Sequence, residues 1–296
     1  MKIRRISALA VTSLFLGSAL FTSCGKNEED TTLPPIGGFN NSNEVATANL
    51  VAHWPFDGNN NERITNTAPS SAINASFTTG ASGQRQALSL ASGYLVYPSI
   101  AALGSASSLP SFTVSAWVNV KNTKGAGDNP SMIFSLTRPK EWAGSINLMA
   151  ETGRYASAND TLVVKGLLVQ KAADGNASFQ DSVNEPRKGG DQAFKGAGKW
   201  SHVAVSYDGA SSMFYVYANG KKISNPEWEQ RGTTGQLNLF TPAQVIIGAF
   251  ATNLPGGTAD VWQKTMNGQI DELRVYNKAL PAGDISNLYQ LEQAGR

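Results

Sequence analysis

The sequence predicts an all-β fold, a β-sandwich of two packed antiparallel sheets with a short C-terminal helix. Three observations predict it. Runs with a period of two recur from Leu50 onward, turn dipeptides such as Asp208-Gly209 and Asn219-Gly220 separate them, and only residues 282–293 carry a helical spacing. The clearest strand is 111–120. Phe112, Val114, Ala116, Val118 and Val120 share one face, and Thr113, Ser115, Trp117 and Asn119 share the other. Similar runs follow at 132–136, 146–150, 162–170, 200–207, 213–218, 245–249 and 269–276. The runs 200–207 and 213–218, joined through Asp208-Gly209, predict a hairpin. Pro281 opens the helix, and Ile285, Leu288 and Leu291 recur on one side of it. Many strands, short turns and one helix fit two packed sheets. The longer stretch 121–198 is rich in Gly, Asn, Asp and Ser, and its loops are where a rigid scaffold would carry function.

The N-terminus reads differently. Lys2, Arg4 and Arg5 precede an apolar run from Ile6 to Phe21, then Thr22-Ser23-Cys24, the layout of an export signal. Ser, Thr and Gly dilute the run too much for a comfortable membrane span. Phe21-Thr22-Ser23-Cys24 resembles a bacterial lipobox, which implies cleavage before Cys24 and lipid attachment to it. Cys24 is the only cysteine in 296 residues, so no disulfide is available to the folded part. The expected organisation is a signal peptide over 1–23, a polar tether over 24–45 and a folded domain over 46–296. Membrane association would come through the lipid anchor, at the cell envelope and on the outer membrane. Glu28, Glu29 and Asp30 resemble the surface-export tag of Bacteroidetes-type lipoproteins, and equally fit a solvated linker. Removing 1–23 takes away three positive charges and no acid, which turns the formal +2 into −1. No Lys/Arg stripe is left to suggest a nucleic-acid partner.

Six stretches occur in an order that carries a resemblance: Leu50-Val-Ala-His-Trp-Pro-Phe-Asp-Gly58, Phe112-Thr-Val-Ser-Ala-Trp-Val118, Trp200-Ser-His-Val-Ala-Val-Ser-Tyr-Asp-Gly209, Tyr215-Val-Tyr-Ala-Asn-Gly220, Ile247-Gly248 and Gly268-Gln-Ile-Asp-Glu-Leu-Arg-Val-Tyr-Asn-Lys-Ala-Leu280. Together they resemble the laminin G-like, concanavalin A-like lectin/glucanase superfamily in its bacterial form. The resemblance implies a jelly roll of two curved antiparallel sheets. Many members bind carbohydrate, some bind calcium and some are enzymes, so function has to be argued from a site.

Glucanase chemistry needs two carboxylates facing one cleft. No Glu-x-Asp-x-Glu is present, and Asp271-Glu272, as adjacent strand residues, are expected on opposite faces. No catalytic residue is therefore assigned. For calcium, the candidates are Asp57, in the oxygen-rich Asp57-Gly-Asn-Asn-Asn-Glu62, and Asp271, whose strand face carries Leu273 and Val275 and which is expected to point inward. The alternative is a turn cap for Asp57 and backbone donors or an arginine for Asp271. For carbohydrate, the candidates are the aromatic residues in polar connections: Trp142, Tyr155, Trp228 and Trp262. Each could instead anchor its loop to the sandwich. Trp54, Trp117 and Trp200 lie in strand motifs and read as structural. The resulting expectation is a non-catalytic, lectin-like lipoprotein that captures a glycan. Adhesion to, or assembly with, a protein partner is the alternative, and a hydrolase or lyase the third.

Overall fold

Residues 112–119 alternate so cleanly because both of their faces are covered. In the computed structural model, which describes residues 33–83, 85–125, 129–185 and 190–296, they form a central strand buried along nearly its whole length. The chain runs through β1 (Leu50–Trp54), β2 (Ser71–Thr79), β3 (Gln86–Tyr97), β4 (Phe112–Asn119), β5 (Ser131–Leu136), β6 (Ile146–Ala150), β7 (Val164–Lys171), β8 (Ala177–Val183), β9 (Ser201–Asp208), β10 (Met213–Ala218), β11 (Lys221–Lys222), β12 (Val245–Ile247), β13 (Met266–Tyr276) and α1 (Ala282–Gln293). The strands pair antiparallel in the order β11-β10-β9-β4-β13-β3-β12-β5-β6-β7-β8, with β1 on β13 and β2 on β3. The ladder curls, so β9 and β10 face β7 and β8 across one core. This is the jelly-roll β-sandwich that the sequence predicts.

Phe112, Val114, Ala116, Val118 and Val120 enter that core, together with Trp54, Phe134, Leu148, Leu168, Val205 and Phe214. The expected hairpin is present, with Tyr207 opposite Phe214. The second face of β4 meets α1 and the segment before β1. Ile285, Leu288 and Leu291 of α1 pack with Tyr276, Tyr217 and Val45. Thr113 accepts from the Leu280 N–H and donates to the Lys278 carbonyl, tying the helix entry to the strand.

The tether expected over 24–45 is shorter than that in the described residues. Ile36 and Phe39 pair with each other and pack toward α1, Ser42–Glu44 form a 3-10 turn, and Val45 is buried. The polar composition concealed three well-spaced apolar anchors. Residues 1–23, Cys24 and Glu28 to Asp30 lie outside the described residues. β2, β3 and β8 are strands that the sequence reading did not single out. β2 and β8 are half-exposed and rich in Ser, Ala and Thr, so their apolar alternation is faint. Among the described residues, no helix is long and apolar enough to cross a membrane.

Candidate functional site

The outer face of the β5–β8 layer carries its own apolar cluster. Met132, Met149, Leu167 and Val169 point away from the main core and are covered by two loops, 137–145 and 248–265. The first loop is fixed at its base by Asn147. Its Oδ1 accepts from Ser135 and from the Gly144 N–H, and its Nδ2 donates to the Gly144 and Leu167 carbonyls. Gly144 is required there, because a Cβ would lie 2.4 Å from the Leu136 oxygen. The second loop is fixed by buried Gln263, which bonds Thr252, Asp260 and Asn253.

These loops bring Trp142 and Trp262 together, with ring centroids 5.3 Å apart at 81°. Phe250 packs on Trp262 at 5.3 Å, and Trp142 stacks over Phe179 of β8 at 6.3 Å and 20°. Both tryptophans are half-buried, whereas Phe179 is 47% exposed. The patch therefore anchors the loops on one side and shows aromatic surface on the other.

Arg138 borders the patch. Its guanidinium lies 5.6 Å from the Phe179 ring centroid and 5.3 Å from that of Phe240. Its Nε donates to the Ala143 carbonyl at 2.9 Å. Burial lowers its pKa from the usual guanidinium value, and the Glu141 carboxylate acts against that shift. Arg138 also lines a pocket of about 560 Å³ with Thr137, Lys140, Gln244, Thr252 and Gly257. A volume of that order suits a small ligand.

The other two expected aromatics lie elsewhere. Trp228 closes a 3-10 turn, Pro226–Trp228, and stacks with Arg231 at 5.7 Å. Tyr155 sits in the connection after β6, where its carbonyl accepts from the Lys124 N–H. A groove of about 700 Å³ beside the start of α1 holds Tyr215 and Tyr217. Its polar groups are largely engaged. Asp208 caps its own turn, Lys222 pairs with Glu229, and Asn49 bonds Asn277.

The carboxylates depart from the expected alternation. Along β13, Asp271 opposes Trp117 and Arg274 opposes Ser115, so one extra residue is inserted between them. Glu272 sits in that bulge with φ +46°. The bulge shifts the frame, and Asp271 lies on the α1 side rather than inward with Leu273 and Val275. It also defeats the expectation that Asp271 and Glu272 face opposite ways, since both line one recess with Glu292 and Trp117. That recess leaves about 10 Å³, room for roughly one water. Around it runs a buried network. Arg274 donates to Glu272, Glu292, Ser42 and Asn43, His53 bonds Glu272 at 2.7 Å, and Trp117 donates to Glu292 at 2.9 Å.

Asp57 and Glu272, distant in sequence, both stand near Arg85. Arg85 is 3.6 Å from Asp57 and 3.6 Å from Glu272. Asp57 accepts from the Gln86 N–H, and Asp271 accepts from the Ala81 and Glu272 N–H groups. Burial pushes the Asp271 carboxyl up to about 7, against those donors and with help from the nearby acids. Glu62 spends its oxygens on the His53 N–H of β1 and on Ile64 and Thr65 of its own loop. This donor set does not fit a calcium ion well. An arginine already supplies the positive charge, and the carboxylate oxygens are held by N–H groups. Among the described residues, no three His, Cys, Asp or Glu side chains are arranged to hold a metal.

A family model described as the concanavalin A-like lectin/glucanases superfamily matches residues 90–286. The chain belongs to that superfamily. None of the curated proteins matches it. Among solved structures, the superfamily member is similar to domain 4 of AbnA, a GH43 extracellular arabinanase from Geobacillus stearothermophilus, in complex with arabinotriose. Identity is 19%, with 82% of this chain and 98% of that domain covered and a TM-score of 0.52. The receptor-binding region of botulinum neurotoxin serotype G matches with a TM-score of 0.55 at 12% identity, over 82% of this chain and 51% of the toxin chain. Botulinum neurotoxin type C, whose cell entry depends on interaction with two ganglioside molecules, matches with a TM-score of 0.50 at 16% identity, over 82% of this chain and 50% of that one. The chain thus spans about half the length of the toxin chains. At these identities the likeness is one of fold.

Of the aromatics that sequence reasoning singled out in this concanavalin A-like domain, the structure brings Trp142 and Trp262 together, beside Phe179 and Arg138, which that reasoning did not name. A signal for Phe179 was present: an aromatic residue at the third position of Ala-Ser-Phe-Gln-Asp-Ser-Val, among residues that are otherwise small or polar up to Val183.

Proposed function

We propose that this domain is a non-catalytic carbohydrate-binding module whose ligand lies across Trp142, Trp262 and Phe179. The observation that carries the reading is their convergence beside a pocket of about 560 Å³ that includes Thr137, Arg138, Gln244 and Thr252 in its wall. Exposed aromatic surface packs against the apolar faces of sugar rings, and neighbouring hydroxyl, amide and cationic groups take the sugar hydroxyls. The complex of the arabinanase domain with arabinotriose supports the reading, at the level of fold. The non-catalytic part is supported by the recess at Asp271, Glu272 and Glu292, which is too small for a sugar. The chain is read as a lipoprotein of the cell envelope, held at the outer membrane through Cys24. Cys24→Ser should move it to the soluble fraction, and retention in membranes would sink that part.

A glycan array with the purified protein tests the binding. Defined hits should lose about tenfold or more in affinity with Phe179→Ala, as expected for a hot-spot aromatic. Unchanged affinity in that variant would remove the patch from consideration. A protein-binding reading draws on β2, which pairs with β3 alone among the described strands and exposes Ile73 and Phe77. Capture of a protein that Ile73→Lys abolishes, with an array that stays blank, would favour it.

A further inference from the structure

We propose that the pocket beside the aromatic patch is an oxyanion site, in which Arg138 receives an acidic group carried by a saccharide unit; this rests on the glycan-binding reading above. Only 5% of the Arg138 side chain is exposed. Its Nε is spent on the Ala143 carbonyl, and the rings of Phe179 and Phe240 bracket the guanidinium. Yet Nη2 is buried without a hydrogen-bond partner. The Glu141 Oε2 makes an ion pair with that same Nη2 at 3.5 Å, from a side chain that is 53% exposed. A buried, charged N–H that makes no hydrogen bond and only a long ion pair to an exposed side chain is costly, and folded proteins rarely keep one without a use.

Arg274 makes the contrast plain. It is just as buried, and it bonds two carboxylates, Ser42 and Asn43. The fold can therefore satisfy an arginine completely, and at Arg138 it stops short. The lining of the pocket fits an acid. Arg138 and Lys140 contribute positive charge, Thr137, Thr252 and Gln244 contribute polar groups, and no carboxylate lines it. A planar guanidinium matches the oxygens of a carboxylate, and also those of a sulfate ester. Phe179 touches both Arg138 and Trp142, so one chain could lay a ring on the aromatic patch and its acid in the pocket.

The test is affinity electrophoresis of the purified protein in four polysaccharides: polygalacturonate, its full methyl ester, dextran sulfate and dextran. The charged member of a pair should bind about tenfold or more tightly than its neutral partner, the effect of one charge-assisted hydrogen-bonded contact. The pair that shows the preference names the acid as carboxylate or sulfate. Arg138→Lys keeps the net charge and should bring that preference to about twofold or less, because an ammonium cannot reproduce the fork. Glu141→Gln alters an exposed side chain and removes the competitor. It should strengthen binding of the charged member while the melting temperature holds. Equal binding of neutral and charged members overturns the oxyanion site and leaves the glycan reading standing. Retention by none of the four overturns both. A charge preference that survives in Arg138→Lys, or Glu141→Gln with unchanged affinity, assigns the attraction to the general surface and overturns the role of Arg138.

Discussion

The two outer faces of the sandwich solve the same problem in different ways. Each must cover a sheet with something other than the opposite sheet. On one face α1 and residues 36–50 close over β4, β9, β10 and β13, and the buried charges there answer one another. On the other, loops close over β5, β6 and β7, leaving Phe179 exposed and one buried guanidinium nitrogen without a hydrogen bond, its charge met among the described residues only by Glu141 at 3.5 Å. Burial of charge is common to both faces. What separates the two buried arginines is whether the hydrogen bonds close within the chain: those of Arg274 do, and those of Arg138 do not.

The largest expected effect breaks the closed face. Glu292→Ala leaves Arg274 short of one buried carboxylate and the Trp117 indole without its acceptor, and should cost about 3–5 kcal/mol in denaturant unfolding. Glycan affinity of the protein that remains folded should not move. A loss below about 1 kcal/mol would mean that the network contributes little. Next comes the open face, where Trp142→Ala should weaken binding about tenfold. Its stability loss should be smaller than that of Glu292→Ala, because Trp142 is half-buried at the surface of its cluster. If stability falls steeply and affinity holds, Trp142 is an anchor alone.

A smaller effect concerns pH. Burial holds His53 near 4 and His202 near 3, with Arg274 adding to both. These depressed values mean that the unfolded chain takes up protons which the folded chain refuses, so stability is lost as pH falls from 6.5 toward 4. Asp271 acts with the opposite sign. Its folded value near 7 lies above its unfolded one, so its contribution is present at low pH and fades as pH rises from 4 to 7. Asp271→Asn removes that opposing group, and stability should then climb more steeply across this window, by about one proton equivalent. An unchanged slope would place Asp271 in an ordinary ionised state. The smallest effect expected is none. EDTA should leave the melting temperature unmoved, since Arg85 already answers Asp57 and Glu272. A fall on chelation would return the metal to consideration.

Much of the architecture was legible in the sequence because it rests on short-range pattern. The β4 alternation, the β9–β10 hairpin and α1 each follow from a local period and a turn or cap. The bulge at Glu272 was not legible, because nothing in Ile-Asp-Glu-Leu-Arg announces an extra residue. That one insertion changed the side on which Asp271 lies. At the candidate site, loop tryptophans were visible by residue type alone. Arg138 was not, because its meaning comes from rings on β8 and on the connection before β12. A lone arginine between threonine and proline has no spacing to read.

The bulge also bears on how such a domain can change over time. An extra residue in a ladder adds a side chain outside the hydrophobic core without vacating any position within it. Ile270, Leu273 and Val275 all remain in the core around it. Glu272 is therefore a residue that could arrive by insertion, or leave by deletion, while the hydrophobic complement stays intact. A lineage could try out new polar chemistry beside the core at this strand by lengthening it one codon at a time.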